Sequence, residues 1–230
     1  MLSIIPGLLA VVAILYAVKH IAKPTVGTRQ PIRLRIRPVL RGQLGRLLLG
    51  IGVFELGNVA ATLLILRATD LLTPGHGLDD AAQVAIALYI AYNLAATVAS
   101  VPAGRLGDRR GMVRVLAGGV AAFGLAYVGF AFTDESLLVL AGCFVLAGIG
   151  IGCVETAEHA AVASLAPEGL RGSAFGALAG IQAFGNVIAS GVAGLLYTVA
   201  SPTAAFIFAA VLMLASLGTL ATAPTSSTRS

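Results

Sequence analysis

Charge is scarce in this sequence. Only 11% of its 230 residues are Asp, Glu, Lys or Arg, whereas a soluble domain carries about 25%. A chain so poor in charge cannot cover a water-facing surface, which excludes an ordinary soluble protein. The sequence has no tryptophan and only two cysteines, Cys143 and Cys153, which share one apolar segment. Two cysteines in this arrangement match neither a disulfide scaffold nor a zinc site, so we interpret both as packing residues.

Long apolar segments make up most of the chain. Hydrophobic residues account for 58% of it, and the mean hydropathy is +0.95. Seven segments approach or exceed the roughly 20 apolar residues that cross hydrocarbon. We therefore predict an all-α membrane protein with seven transmembrane helices at 2–18, 44–66, 81–102, 112–132, 137–166, 173–199 and 203–223. The predicted organisation is a helix in 1–18, a basic linker at 19–43, a six-helix unit at 44–223 and a tail at 224–230.

Basic residues fall on alternate sides of the predicted helices, and this pattern predicts their orientation. Connections on one side carry only Arg67 beside five acidic residues, whereas those on the other side are rich in Lys and Arg. Because cytoplasmic loops hold the excess of Lys and Arg, the N-terminus is predicted outside and the C-terminus in the cytoplasm of a plasma (inner) membrane. The predicted cytoplasmic set is Lys19, Lys23, Arg29, Arg33, Arg35, Arg37, Arg41, Arg46, Arg105, Arg109, Arg110, Arg114, Arg171 and Arg229.

The first predicted helix and the linker after it allow alternative interpretations. No basic residues precede the apolar run of 1–18, which disfavours a secretory signal. In the linker 19–43, Pro24, Pro31 and Pro38 are expected to prevent a helix. We interpret this linker as a topology anchor, and contact with anionic lipids is the alternative. The net charge of +5 follows from this topology and does not indicate nucleic-acid binding.

A charged, glycine-punctuated segment at 104–111 separates two apolar runs. We predict a short cytoplasmic loop in which glycines allow a tight turn. Asp108 is expected to pair with Arg105 or Arg109, or to lie at a helix N-terminus, where a negative charge is favoured. Such contacts would form a latch between two helices; a charged turn that only fixes topology is the alternative. The loop residues are Gly104, Arg105, Leu106, Gly107, Asp108, Arg109 and Gly111.

The spacing Gly-x-Leu-x-Asp-Arg-x-Gly at 104–111 resembles a loop signature of the major facilitator superfamily of secondary transporters. The segment 167–172 followed by a glycine-rich helix is similar to the loop before that family's penultimate helix. The sequence departs from the family after Gly111, where Met112 and Val113 precede Arg114. The resemblance implies twelve helices in two six-helix halves. This chain would supply the last helix of the first half, the central loop and the whole second half, and its charged loop would stabilise one of the alternating states.

Polar and ionisable residues within the predicted helices are functional candidates because burying them in a membrane is costly. Glu55 lies about 13 Å into the second predicted helix, and Asn58 follows on the same face. Transporters place substrate and coupling-ion sites near this depth. The candidates for a proton and substrate pathway are Glu55, Asn58, Tyr89, Tyr92, Asn93, Glu155, Glu158, His159, Gln182 and Asn186.

These candidates also have structural alternatives. Glu55 could hydrogen-bond within the bundle without titrating, and Glu155 could form a buried pair with His159. Glu158 and His159 could already reach the cytoplasmic interface. A di-metal bundle would need further Glu-x-x-His-type motifs on other helices, so no metal site is expected.

Glycines recur at every fourth position where the sixth predicted helix begins. They are Gly172, Gly176 and Gly180. Small residues at this spacing let helix backbones approach closely. We therefore predict tight packing along this face.

Taken together, these features predict a secondary active transporter of the major facilitator type. The predicted activity is proton-coupled export of a small organic molecule, present here as a half transporter. The expected partners are the lipid bilayer, the substrate, protons and a missing N-terminal six-helix half. A truncated, inactive fragment is the main alternative. A seven-helix receptor is disfavoured because the last span has no lysine and the chain no tryptophan. No enzyme activity or cofactor is expected, since neither a nucleophile set nor a phosphate-binding loop is present.

Overall fold

The computed structural model describes residues 36–222, which are almost entirely helical and contain no strand. Six helical spans are long and apolar enough to cross a membrane. The all-α membrane fold and six of the seven predicted spans are thereby confirmed, whereas the predicted helix at 2–18 lies outside the described residues. The helices are α1 (Ile36–Val39), α2 (Gly42–Gly57), α3 (Ala61–His76), α4 (Leu78–Arg110), α5 (Met112–Phe132), α6 (Leu137–Leu165), α7 (Arg171–Val199) and α8 (Pro202–Ala221). The first span consists of α2 and α3 together.

The spans alternate in direction, so their connections gather at two ends of the bundle. We call the end that holds the α4–α5 connection, at Gly111, the motif end. There Arg46 Nη1 of α2 donates a hydrogen bond to the Thr222 carbonyl oxygen, 3.4 Å away, just beyond α8. At the opposite end, the Tyr197 hydroxyl of α7 donates to the Asp70 carboxylate of α3 at 2.6 Å. The first span is therefore joined to the end of α8 at the motif end and to α7 at the opposite end.

The second predicted helix, 44–66, is not continuous, which corrects the sequence analysis. It is divided into α2 and α3 at residues 58–60, where Asn58 has φ −79° and ψ 82°. Gly57 and Asn58 are both weak helix formers. The N–H of Val59 donates to the Gly57 carbonyl oxygen at 3.0 Å and to the Tyr127 hydroxyl of α5 at 3.2 Å. The hydroxyl is therefore a second partner for a buried backbone donor at the break, in a membrane interior that offers no water.

The prediction of a loop at 104–111 is wrong for all but its last residue. Helix α4 continues through Pro102 as far as Arg110. Only Gly111 leaves the helical conformation, with φ 94°, and its N–H bonds to the Gly107 carbonyl at 2.8 Å. Proline is tolerated within membrane helices, and a charged segment can extend a helix beyond the hydrocarbon. The turn therefore depends on one glycine rather than three.

The end of the predicted linker also differs from expectation. Helix α1 is a single turn that contains Pro38, so the expectation that this proline prevents a helix is wrong. Proline is compatible with the first turn of a helix, where its missing N–H would have no partner in any case. Gly42, with φ 67°, then begins α2.

Helix α6 packs along both α4 and α5, and glycines set these distances. A Cβ added at Gly148 or Gly152 would collide with backbone atoms of α4. A Cβ added at Gly119 of α5 would lie 2.8 Å from the Gly150 carbonyl oxygen. Small residues at helix crossings permit this close approach. Side chains of α4, α5 and α6 at the same depth are thereby brought together.

Aromatic side chains fill the interior around α5. The ring of Phe123 lies 5.9 Å from that of Phe54 and 5.1 Å from that of Tyr127, both edge-to-face. Phe130 meets Phe144 edge-to-face at 5.1 Å. All five rings are buried, and such arrangements are favourable for aromatic pairs. This packing fixes the Tyr127 hydroxyl beside the break between α2 and α3.

Helices α4 and α7 bury the smallest share of their surface. The tight packing predicted at Gly172, Gly176 and Gly180 is not formed among the described helices, since a Cβ added at any of them would meet nothing within 4 Å. The spacing indicates a face that allows close approach, but this face of α7 has no helix of residues 36–222 against it. Glycine costs about 1 kcal/mol relative to alanine in a helix, and no packing within this bundle offsets that cost.

Candidate functional site

Glu55 lies in the last turn of α2, directly before the break. Its side chain is only 4% exposed, and its Oε2 accepts a hydrogen bond from Asn58 Nδ2 at 3.2 Å. Gly185 of α7 packs against it closely enough that an added Cβ would lie 2.5 Å from Glu55 Cβ. The break in the first span and a glycine of α7 together hold this carboxyl inside the bundle. Broken helices at membrane depth are typical of transporter binding sites.

Glu158 of α6 is the most deeply buried acid of the described chain, with 1% of its surface exposed. Its Oε1 accepts a hydrogen bond from Gln182 Nε2 of α7 at 2.6 Å. Its Oε2 is buried and has no hydrogen-bond partner among residues 36–222. A buried polar atom without a partner is costly, so this oxygen marks a place where a proton or ligand is needed.

Helix α7 joins the two buried acids. Gln182 contacts Glu158, and Gly185, three residues later, contacts Glu55. Residues three apart on a helix share a face. The charges of Glu55 and Glu158 lie close enough to interact. Their mutual repulsion disfavours a negative charge on both carboxyls at once.

His159 and Glu155 lie beside this pair on the exposed side of α6. The His159 side chain is 54% exposed, and its Nδ1 is 3.6 Å from Glu158 Oε1. The same nitrogen is 3.0 Å from the Glu155 backbone carbonyl oxygen, and the ring stacks on Phe175 with a centroid distance of 6.3 Å. The Glu155 carboxylate is exposed, so His159 approaches the carboxylate of Glu158 and only the backbone of Glu155.

Helix α4 contributes an aromatic pair. Tyr89 and Tyr92 stack with their centroids 5.6 Å apart and their planes 22° apart, and both are half-buried. Asn93 is exposed and donates to the Tyr89 carbonyl at 2.8 Å. The Tyr92 side chain lies close enough to Glu155 for a charge interaction. Asn186 of α7 is exposed, and its side chain forms no hydrogen bond with the acids or tyrosines among the described residues.

Most of the sequence-predicted candidates therefore come together on four helices. We call Glu55, Asn58, Tyr92, Glu155, Glu158, His159 and Gln182 the carboxylate cluster. Among residues 36–222, no group of three or more His, Cys, Asp or Glu side chains is arranged to hold a metal ion. The cluster instead offers carboxyls, amides and an aromatic surface.

Tyr127 is a site residue that the sequence analysis missed. Its hydroxyl bonds to Val59 at the helix break, and it lies close enough to Tyr92 and Glu55 for electrostatic interaction. One signal was available, because it is the only hydroxyl-bearing residue in the apolar segment 112–132. A buried tyrosine hydroxyl usually has a partner.

The charged segment at the motif end lies apart from the cluster. Asp108 is exposed and forms no ion pair with Arg105, Arg109 or another residue of the described chain. The N-terminus of α5 has no side-chain cap, so Asp108 does not occupy it in this structure. Gly107 faces Met112, whose flexible side chain occupies the space that a Cβ would need.

A helical membrane bundle with a broken span and two buried carboxyls within electrostatic reach of each other is typical of a secondary transporter domain. Comparison with known proteins identifies the particular class. Residues 58–229 match the family model described as Major Facilitator Superfamily. The chain belongs to this superfamily.

Two relatives illustrate the similarity. The chain is 33% identical over 168 residues to an uncharacterised MFS-type transporter of Methanocaldococcus jannaschii, a match that covers 71% of this chain and 40% of the relative. It is 35% identical over 114 residues to a gentisate transporter of Corynebacterium glutamicum, a match that covers 49% of this chain and 25% of that protein. The matches thus span less than half the length of either relative.

Proposed function

We propose that this chain is one six-helix half of a proton-coupled secondary transporter that exports a small organic molecule. The observation that supports this most is Glu158 Oε2, which is buried without a hydrogen-bond partner among the described residues and lies within electrostatic reach of Glu55. In low-dielectric surroundings a carboxyl is more stable in its protonated, neutral form. Opening of the site to water on one side of the membrane would then favour release of that proton.

Further polar groups surround the two buried acids. From α6 these are Glu155 and His159, from α4 Tyr92 and from α5 Tyr127, all close enough for electrostatic interaction with one or both acids or with each other. Helix α7 contributes Gln182, which does not titrate. A carboxyl that holds either a proton or the substrate, but not both, would exchange one for the other, which is the basis of antiport.

A second six-helix half would complete the pathway. Polar residues such as Glu155, Asn93 and Asn186 are exposed on membrane-spanning helices, where contact with lipid would be costly. The open glycines of α7 would allow another helix to approach closely. The greater length of both relatives agrees with this proposal.

Charge supports the proposed orientation in a plasma (inner) membrane. Of the eight arginines at positions 41–222, all but Arg67 lie at the motif end. Asp70, Asp79, Asp80, Asp134 and Glu135 lie at the opposite end. Under the rule that Lys and Arg mark cytoplasmic connections, the motif end faces the cytoplasm.

Transport by the complete protein, meaning this chain with its second half, would test the coupling. Glu55→Gln and Glu155→Gln imitate permanently protonated acids. We expect at least one of them, with Glu55→Gln the stronger, to abolish transport driven by a pH gradient while preserving exchange without a gradient. Uptake into proteoliposomes is measured with and without the gradient, and exposed Glu135→Gln is the control. Full gradient dependence in both variants would contradict proton coupling at these acids.

A further inference from the structure

Among the described residues, His159 is the only basic side chain of the carboxylate cluster, which holds the three acids Glu55, Glu155 and Glu158. Lysine occurs only at positions 19 and 23 of the whole sequence. The arginines of the described chain lie near helix ends, and the one on α3, Arg67, donates to the Phe130 carbonyl at 3.1 Å near the end of α5. His159 is thus the only basic group of residues 38–222 that contacts Glu55, Glu155 or Glu158. An anionic ligand would find repulsion here, whereas a cation would find a counter-charge.

The unpartnered Oε2 of Glu158 indicates which kind of ligand the cluster would bind. Glu158 accepts one hydrogen bond at Oε1 from Gln182, and its Oε2 remains buried without any partner among the described residues. A buried carboxylate is stable only when a positive charge or hydrogen bonds compensate it. A ligand that brings positive charge to this oxygen would satisfy Glu158 and reduce its repulsion with Glu55.

Aromatic surfaces lie beside the acids. The stacked Tyr89 and Tyr92 present half-buried rings on α4. On the other side, His159 and Phe175 stack between α6 and α7. Aromatic faces attract organic cations, and quaternary ammonium ligands are commonly held between them. Small inorganic cations instead require several oxygen ligands in a shell, and the described residues form no such group.

We propose that the carboxylate cluster binds an organic cation, with the positive centre near Glu158 and apolar or aromatic substituents against Tyr89, Tyr92 and Phe175. This inference rests on the proposed transport function and names its substrate class. Protonation of Glu158 removes the counter-charge and releases the cation. Bound proton and bound cation therefore exclude each other.

Two ions of the same shape and opposite charge test the charge preference of the cluster directly. Tetraphenylphosphonium and tetraphenylborate have the same shape and opposite charge. The complete protein, meaning this chain with its second half, is purified into lipid nanodiscs, and equilibrium binding of each ion is measured against empty nanodiscs at alkaline pH. We expect saturable binding of the phosphonium and none of the borate above the empty-disc background. Equal binding of both ions, or no saturable phosphonium binding, would overturn the proposal.

Variants assign the binding to the cluster. Glu158→Gln keeps the size and removes the charge, and we expect it to weaken phosphonium binding about ten-fold or more. Glu135→Gln, an exposed acid between α5 and α6, should bind as the unmodified chain does. Unchanged affinity in Glu158→Gln, or lost binding in Glu135→Gln, would contradict the assignment.

A measurement on the unmodified chain covers the case in which Glu158→Gln folds poorly. Dicyclohexylcarbodiimide adds to protonated carboxyl groups in apolar surroundings, and mass spectrometry locates the labelled residue. Phosphonium should reduce labelling of Glu158, whereas tetraphenylborate should not. Labelling that is indifferent to phosphonium would overturn the cation site. If the cation binds and protects but transport by the complete protein ignores the pH gradient, the coupling proposal fails and the cation site remains.

Discussion

At the residue scale, a single hydroxyl group, that of Tyr127, stabilises the break in the first span. The Tyr127 hydroxyl is fully buried and accepts the hydrogen bond of Val59 N–H at the break between α2 and α3. No water is available inside a membrane to replace that partner. The break positions Glu55 and Asn58, so this hydroxyl supports the candidate site from a neighbouring helix.

Tyr127→Phe is predicted to destabilise the bundle by about 0.5–1.5 kcal/mol, the net contribution of one hydrogen bond, because the Val59 N–H keeps the Gly57 carbonyl oxygen as a partner. Tyr89→Phe is the matched control, because the Tyr89 ring stacks on Tyr92 and its hydroxyl has no hydrogen bond to a described residue. Unfolding of both variants in mixed micelles, followed by circular dichroism, gives the comparison. Equal stability of the two variants would show that the break does not need the hydroxyl.

At the scale of elements, close helix crossings set the distances within the site. Gly148 and Gly152 hold α6 against the backbone of α4. The same crossings place Tyr92 beside the acids of α6. Helix α4 also determines the motif end, since it runs on to Arg110 and ends at the positive-φ Gly111.

Gly148→Ala is predicted to destabilise the α4–α6 contact by about 1–3 kcal/mol because the new methyl group collides with backbone that cannot yield easily. Gly142→Ala lies on the same helix in open space and should be neutral or slightly stabilising, as alanine is the better helix former. Thermal unfolding in one detergent compares the two variants. A stable Gly148→Ala protein would mean that the helices separate without penalty.

Asp108→Asn is predicted to lower transport by the complete protein while leaving membrane insertion near normal. The side chain is exposed at the end of α4, free to form an ion pair in another state of the transport cycle. Removing its charge should therefore affect the cycle more than the fold. Transport rate and the amount of membrane-inserted protein are measured for both forms. Equal rates would leave Asp108 with a role in topology alone.

At the scale of the whole molecule, the described bundle exposes polar groups on faces that would otherwise meet lipid. Helices α4 and α7 are the least covered. Glu155, Asn93 and Asn186 are all exposed. A central pathway between two halves would give these groups water and protein partners.

The isolated chain of residues 1–230 is predicted not to transport in liposomes and to associate poorly into one defined state. The physical reason is that its polar face lacks the second wall of a pathway. Efflux from proteoliposomes that contain only this chain is compared with efflux after coexpression with an N-terminal half. Robust transport by the chain alone would contradict the half-transporter proposal.

The sequence by itself determined the class of protein and the approximate spans. Low charge, long apolar runs and the charge difference between connections are local properties that each segment carries with it, so the six described spans and the superfamily were predictable. It also indicated the polar candidates, since any acid at membrane depth is costly wherever it points.

Only the tertiary structure decided which of these residues meet. The sequence could not distinguish exposed Glu155 from buried Glu158, because their surroundings depend on how α7 packs and not on their spacing. The Tyr127 contact at the helix break required α5 to lie beside residue Val59. The extension of α4 to Arg110 required a helix to continue past a proline and three charges. Hydropathy is summed along a chain, whereas hydrogen-bond partners and burial are set between helices that are distant in sequence.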